Sequence, residues 1–576
     1  MAKAYRYFIG AGCLLIVFGV VIFALLVRGL SAPSLPREMV LSLRLAGPIA
    51  EVTADDPLAE LMGERATSLR KLREALVRAA EDDRVQGVRL RVDSIGGGFA
   101  TAQEIRTLII RVGAAGKWTA AYMDTAGEFS SGNLVYYVAS ACDEVVINPQ
   151  GDLNFIGLSA ASPFVRGTLD KLDIRAEIPG RGDYKTARFM YTQKDFTPAH
   201  REMTGWLLDS IMDQLVQDVA DSRGLQAEEV RSLVDQAPFI GQKSVEVGLV
   251  DRMEDWTSFV DGLEEEHTKA RAVSVRSYLK RGSKAKRGPK IAVVTAVGTI
   301  LRGASGESFN PLFGGPVMGS DTISKAFRRV RKTNGIKAVV FRVDSPGGSA
   351  VASEIIRQEM VRTAEEIPVV VSMSNVAGSG GYWISCGAQR IVADPGTITG
   401  SIGVYGGHFN TSGFYNNKLG VTFGRMDRGV NANIYGELED WTDEQRAVID
   451  RMLDRIYDDF VGRVSVARDM TPEAVDAIGR GRVFTGVQAW ENGLVDVVGG
   501  FDEALMEAKK LADIDIDAEV QLVEFPRVLP WWQQLAKKRS GDEAAIGKRL
   551  EVLEQWLATG TIATPGVVWM PPIIIE

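Results

Sequence analysis

The run Ile336-Lys-Ala-Val-Val-Phe-Arg-Val343, the turn signal Asp344-Ser-Pro-Gly-Gly348 and the segment Val351 to Glu366 together decide the fold. The first is apolar and β-branched, as a buried strand requires, and the last carries helical periodicity. The alternation continues downstream. Ile367 to Met373 predicts a second strand, Ala377-Gly-Ser-Gly-Gly381 a tight turn, Tyr382-Trp-Ile384 a helix, and Arg390 to Ala393 a further strand. Strands alternating with helices imply right-handed βαβ crossovers and a largely parallel sheet, so the fold class is α/β.

The same stretch occurs earlier in the chain. Arg91-Val-Asp-Ser-Ile-Gly-Gly-Gly98 matches Arg342-Val-Asp-Ser-Pro-Gly-Gly-Ser349 at an offset of 251. Tyr136-Tyr137 matches Tyr382-Trp383, and Pro149 matches Pro395, both at an offset of 246. Thr197 with Thr442, and Gly248-Leu-Val-Asp251 with Gly493-Leu-Val-Asp496, follow at 245. A period this long exceeds that of solenoid repeats and signals a duplicated domain. The expected division is a first domain over 31–275, a linker over 276–290, a second domain over 291–515 and a tail over 516–576. The linker carries Arg276, Lys280, Arg281, Lys284, Lys286, Arg287 and Lys290 among Gly, Ser and Pro, and reads as a solvated connection. The tail holds Trp531-Trp532, a predicted helix from Asp542 to Leu557, and the apolar end Pro571-Pro572-Ile-Ile-Ile575. A membrane surface, a neighbouring subunit or its own domain all fit such a tail.

At the other end, Phe8 to Val27 is uncharged and long enough to cross a bilayer as a helix, which predicts a transmembrane anchor within residues 1–30. Lys3 and Arg6 before it and Arg28, Arg37 and Arg44 after it leave its orientation open. The net charge of −8 argues against nucleic acid as a partner. Three cysteines without CxxC spacing signal neither a zinc site nor a disulfide framework.

Only three histidines are present: His200, His267 and His408. That scarcity matters for Ser379, which stands between glycines at a strand-to-helix turn, where a carbonyl group can approach its hydroxyl. The backbone N–H of Gly380 and those of Gly347 and Gly348 are candidates for an oxyanion hole, because glycine permits the conformations that aim amides at one point. A serine nucleophile needs a proton acceptor. His408, in Gly-Gly-His-Phe, has no carboxylate placed to orient it. A lysine can serve if burial disfavours its ammonium form, but spacing alone does not single out which one.

Tyr184-Lys185-Thr186-Ala187 after Pro179-Gly-Arg-Gly-Asp183, with Asp344-Ser-Pro-Gly-Gly-Ser349, Ser379-Gly-Gly-Tyr-Trp-Ile-Ser385 and Thr399-Gly-Ser-Ile-Gly403, resembles the long, duplicated form of the signal peptide peptidase SppA (protease IV) family. The resemblance runs in order from the anchor to about residue 510. It implies two tandem crotonase/Clp-protease-like βαβ domains. It also implies Ser379 as acylated nucleophile, Lys185 as general base, Ser401 as the serine that orients the base, and Gly347 or Gly348 in the oxyanion hole. No metal or cofactor is implied. The implied substrates are cleaved signal peptides and other unfolded apolar segments. The implied setting is a homotetramer held in the bacterial inner membrane and facing the periplasm. Two rival readings are a crotonase-like acyl-CoA enzyme, which would not need Ser379, and a non-catalytic membrane scaffold.

The repeat supplies a check of its own. At offset 246 the first-copy counterpart of Ser379 is Asn133, and the second-copy counterpart of Lys185 is Asn431 or Ala432. Each half lacks what the other retains, the expected pattern if one composite site forms where the copies meet.

Overall fold

The computed structural model describes residues 35–53, 67–266, 270–282, 288–308, 315–526, 567–569 and 574–575. The first half comprises β1 (Met39–Leu45), α1 (Leu69–Glu81), β2 (Val85–Val92), α2 (Phe99–Ala114), β3 (Trp118–Met123), α3 (Asn133–Ala139), β4 (Glu144–Ile147), α4 (Pro198–Arg223), β5 (Arg252–Met253) and β6 (Arg271–Ser274). The second comprises β7 (Lys290–Val297), α5 (Ser320–Lys332), β8 (Ile336–Ser345), α6 (Ala350–Ala364), β9 (Val369–Gly378), α7 (Gly380–Ser385), β10 (Arg390–Ala393), α8 (Asp443–Arg468), β11 (Val497–Val498) and β12 (Gln521–Phe525).

The first sheet runs β5-β4-β3-β2-β1-β6 and the second runs β11-β10-β9-β8-β7-β12. Every neighbouring pair along these two six-strand orders is parallel, and the second sheet also carries Ile398–Gly400 beside the end of β9 and, antiparallel to it, Val483–Phe484. The two copies therefore share the order of their six main strands. Parallel sheets are covered on both faces, which is why β8 and β9 are buried almost throughout.

The residues that revealed the repeat do the same work in each copy. Thr197 and Thr442 are the N-caps of α4 and α8, accepting from His200 N and Gln445 N, so each threonine satisfies an otherwise orphan donor. Tyr136 and Tyr382 donate to Leu249 O and Leu494 O at 2.7 and 2.8 Å. Asp251 and Asp496 each accept a backbone N–H at 2.7 Å and pair with Arg223 and Arg468.

The boundaries differ from the sequence-based ones in two places. The basic connection begins as a helix, Val275–Gly282, because Tyr278 is fully buried and donates to Asp82 at 3.0 Å. At the far end β12 lies beyond residue 515 and completes the second sheet as β6 completes the first. The stretch Phe8 to Val27, Trp531-Trp532 and the helix expected over 542–557 lie outside the described residues. Among the described residues no helix is long and apolar enough to cross a membrane.

The halves meet through buried charge and amide contacts. Arg342 of β8, 1% exposed, reaches Glu104 of α2 at 2.6 Å and Glu51 at 3.1 Å, and Arg73 also engages Glu104. Burial alone would lower the Arg342 pKa, but Glu104 and Glu51 outweigh it and raise it. Asn375 of β9 accepts from Thr101 N at 3.0 Å and donates to Thr101 Oγ1 at 2.7 Å.

Candidate active site

β9 ends at Gly378 and α7 starts at Gly380, so Ser379 is the single residue of the turn. Its φ of 55° and ψ of −115° are unusual for a non-glycine residue and cost on the order of 1–3 kcal/mol, which the surrounding structure must hold. Two bonds do so: Ser379 N donates to Gly400 O at 2.8 Å, and Trp383 N donates to Ser379 O at 2.9 Å. The strand Ile398–Gly400 pairs in parallel with the end of β9 and brings Ser401 alongside. Ser401 also has a positive φ, 53°, and is pinned by its N–H to Arg482 O at 2.7 Å.

Lys185 arrives from the first half. The strand Gly180–Arg181 pairs antiparallel with Val404–Tyr405 of the second half, which carries the chain toward Ser401. Tyr184 packs against a cluster of Met203 and Leu207 with Val483, Val376 and Ile398, so both halves grip the residue before Lys185. The loops also interlock: Tyr184 N donates to Arg480 O at 3.0 Å, and a Cβ on Gly481 (φ +85°) would stand 2.4 Å from Lys185 N. Glycine at 481 is thus required for the lysine's approach.

Lys185 Nζ lies 2.9 Å from Ser379 Oγ, 2.9 Å from Ser401 Oγ and 3.0 Å from Ser401 O. Lys185 and Ser379 are 0% exposed and Ser401 1%. Burial holds the Lys185 pKa well below its ordinary value, with no carboxylate to offset it. A neutral amine has two N–H groups and one lone pair. It can donate to Ser401 O and Ser401 Oγ while accepting the Ser379 hydroxyl proton, so the same positions serve before and after a proton moves.

The glycines divide. Gly380 packs close to the other turn, since a Cβ there would stand 3.1 Å from Gly347 Cα and 3.2 Å from Gly348 N. Gly347 N, however, donates to Ser345 Oγ at 3.2 Å, and Ser345 Oγ donates to Gly298 O at 2.7 Å. The Gly347 amide is engaged, which leaves those of Gly348 and Gly380 as candidates. His408 is elsewhere: it stacks on Trp441 at 4.4 Å, with Nδ1 2.6 Å from Gly436 O.

The corresponding place in the first half is differently furnished. Asn133 opens α3 where Ser379 precedes α7, donates to Gly157 O at 2.6 Å and accepts from Ile156 N at 3.1 Å. At the same offset of 246, fully buried Phe155 stands where the second half has Ser401. Asn431 and Ala432 are exposed. Sequence reasoning missed Gly481, Arg480 and Ser345. The repeated Gly-Arg-Gly of 180–182 and 479–481 was the available signal for the first two.

Two segments of the chain, residues 114–270 and 362–515, match the model of peptidase family S49. The first contains Lys185 and the second Ser379. The chain is 32% identical over 470 residues to the serine protease SPPA, chloroplastic, of Arabidopsis thaliana, covering 80% of this chain and 68% of that one. It is 32% identical over 523 residues to Protease 4 of Haemophilus influenzae, covering 86% and 82%. A shorter match, 37% identical over 184 residues and covering 32% and 53%, is to an Enterococcus faecium protein provisionally named as the signal peptide peptidase SppA.

Proposed function

Because the chain belongs to peptidase family S49 and is a serine protease, we propose that Ser379 is its nucleophile and Lys185 its general base. The observation that carries the assignment is the 2.9 Å approach of Lys185 Nζ to Ser379 Oγ in a buried setting without a counter-ion. Neutral Lys185 takes the Ser379 proton as Oγ attacks a peptide carbonyl. The amides of Gly348 and Gly380 receive the developing oxyanion. Lys185, now an ammonium ion, passes its proton to the leaving amine, and an acyl-enzyme forms. Water, deprotonated by the same lysine, then releases the acyl group. Ser401 positions Nζ throughout with its hydroxyl and its carbonyl.

The substrates in this reading are cleaved signal peptides, which the name of the Enterococcus faecium relative indicates, and, by the same apolar chemistry, other unfolded apolar segments. The stretch Phe8 to Val27 anchors the enzyme in the inner membrane with its bulk in the periplasm, where such peptides lie. Two domains, roughly 31–275 and 291–515, share the one site between them. A homotetramer fits the packing of the halves. Helix α2 of the first meets β9 of the second, a head-to-tail contact that forms a ring when it is repeated between copies with a rotation that closes. The equivalent helix α6 leaves Val351 60% and Ile355 37% exposed.

Ser379→Ala and Lys185→Ala, assayed on an unstructured apolar peptide, should each lose activity by about 10⁴-fold or more. Full activity in either variant would defeat the assignment.

A further inference from the structure

We propose that Arg482 is a positioning residue for this reaction, a latch whose guanidinium stacks on Tyr184 and holds the loop carrying the base against the strand that pins Ser401. The inference rests on the active-site reading above. Arg482 follows the interlocked turn Gly479-Arg-Gly481 and precedes Val483–Phe484, the strand antiparallel to Ile398–Gly400. Its carbonyl accepts from Ser401 N at 2.7 Å, so its backbone fixes the residue that orients Lys185 Nζ. Its side chain reaches the first half. The guanidinium lies 3.8 Å from the centre of the Tyr184 ring, and Nη2 is 3.0 Å from Glu202 of α4. Arg482 thus touches both the residue before the base in sequence and the serine beside the base in space.

The Tyr184 hydroxyl donates to the Glu202 carboxylate at 3.0 Å. Tyr184, Arg482 and Glu202 therefore close a triangle of a cation–π stack, an ion pair and a hydrogen bond, and Trp206, one turn along α4 from Glu202, has its ring 5.6 Å from the same guanidinium. The Arg482 side chain is 20% exposed, and a partly desolvated cation gains more from an aromatic face than a hydrated one does. Lysine would not reproduce the contact, because only a planar guanidinium covers a ring while its fork holds a carboxylate. Within the loop itself, Lys185 N donates to Gly182 O at a long 3.3 Å, so the contacts across the halves hold the base in place. Water exclusion is what keeps Nζ a base, since burial is the cause of its lowered pKa. A latch on the adjoining tyrosine therefore protects both the position of the amine and its uncharged form.

The test compares the full-length chain with full-length Arg482→Ala and Arg482→Lys, with active sites counted by a fluorophosphonate so that misfolded protein does not enter kcat. Arg482→Ala should lower kcat per active site by about 10- to 10²-fold with KM changed less than about twofold. It should also move the rising limb of kcat/KM to higher pH, because water admitted to Nζ favours the ammonium form. Arg482→Lys keeps the charge but not the planar stack, and should fall between the other two proteins in both readouts. If Arg482→Ala yields no titratable sites, Arg482→Lys against the parent chain carries the same comparison. Amide hydrogen exchange at residues 184–186 and 401, measured in the Ser379→Ala background where no catalysis is needed, should accelerate in the same order. A role confined to stability would lower the titrated fraction and leave kcat per site and the limb unmoved, and that result overturns the proposal. Unchanged exchange overturns it too, as does an Arg482→Lys protein indistinguishable from the parent, since the charge alone would then suffice. Activity that persists in Lys185→Ala would instead defeat the active-site reading, and the exchange data would still decide whether Arg482 holds the two segments.

Discussion

At the scale of single residues, the site turns on keeping one amine uncharged. Lys185 has two serines and a carbonyl around it, and burial disfavours its ammonium form. Only the neutral form can act as base. Activity should therefore rise with pH along a limb whose apparent pKa lies well below that of an ordinary lysine, read from kcat/KM against pH. Stability follows the same sign. The unfolded chain binds a proton at Lys185 over a pH range where the folded chain does not. Stability should thus climb as pH rises from the folded Lys185 pKa toward 10.5, the ordinary value of a lysine. Lys185→Met should flatten that slope in denaturation measured across the range. Ser401→Ala removes the hydroxyl but keeps the carbonyl, so it should lower kcat on the order of 10- to 100-fold through misplacement of Nζ, with little change in stability. The glycine turn made Ser379 a candidate and the resemblance made Lys185 one, with the complementary losses in the repeat as a check on the pair. That Ser345 engages the Gly347 amide was not legible, because it depends on the exact twist of a turn.

At the scale of elements, the interlocked loops around 180–185 and 479–482 hold the lysine against the serine. Gly481→Ala would place a Cβ within 2.7 Å of three Lys185 atoms, two of them backbone, at a φ of +85°. It should cost about 1–3 kcal/mol in stability and about 10²-fold or more in activity, checked by denaturant titration and by kinetics on the same preparation. The strands and helices of both halves were readable because β-branched runs and Gly-rich turns are local signals. The loop contact was not, since nearly three hundred residues separate its partners and neither loop carries periodicity. The same holds for the strand Val567–Trp569, whose pairing is specified by the backbone it meets rather than by its own pattern. The helix Val275–Gly282 was masked by its charges, while one buried tyrosine decided its packing.

At the scale of the whole molecule, the two halves share the order of six main strands, and the proposed site draws Lys185 from one half and Ser379 from the other. The repeated Arg-Val-Asp-Ser shows how the copies diverged. Arg91 is half-buried and pairs with Asp93 and Asp124 of its own half, whereas Arg342 is buried against Glu104 and Glu51 of the other half. Arg342→Leu would leave those carboxylates buried with Arg73 as their remaining partner, and should destabilise the chain by about 3–5 kcal/mol in chemical denaturation. The offset of the repeat was visible in the sequence. The burial of only one of the two arginines was not, because identical motifs give no sign of which copy faces the interface.

One measurement tests the composite site most directly: the rate at which a small fluorophosphonate acylates the protein, with the labelled residue mapped, in the parent chain and in Lys185→Ala. The account predicts a label on Ser379 alone and a rate lower by about 10²-fold or more without the lysine, the usual worth of a general base. Equal rates in the two proteins, or a label on another serine, would contradict it.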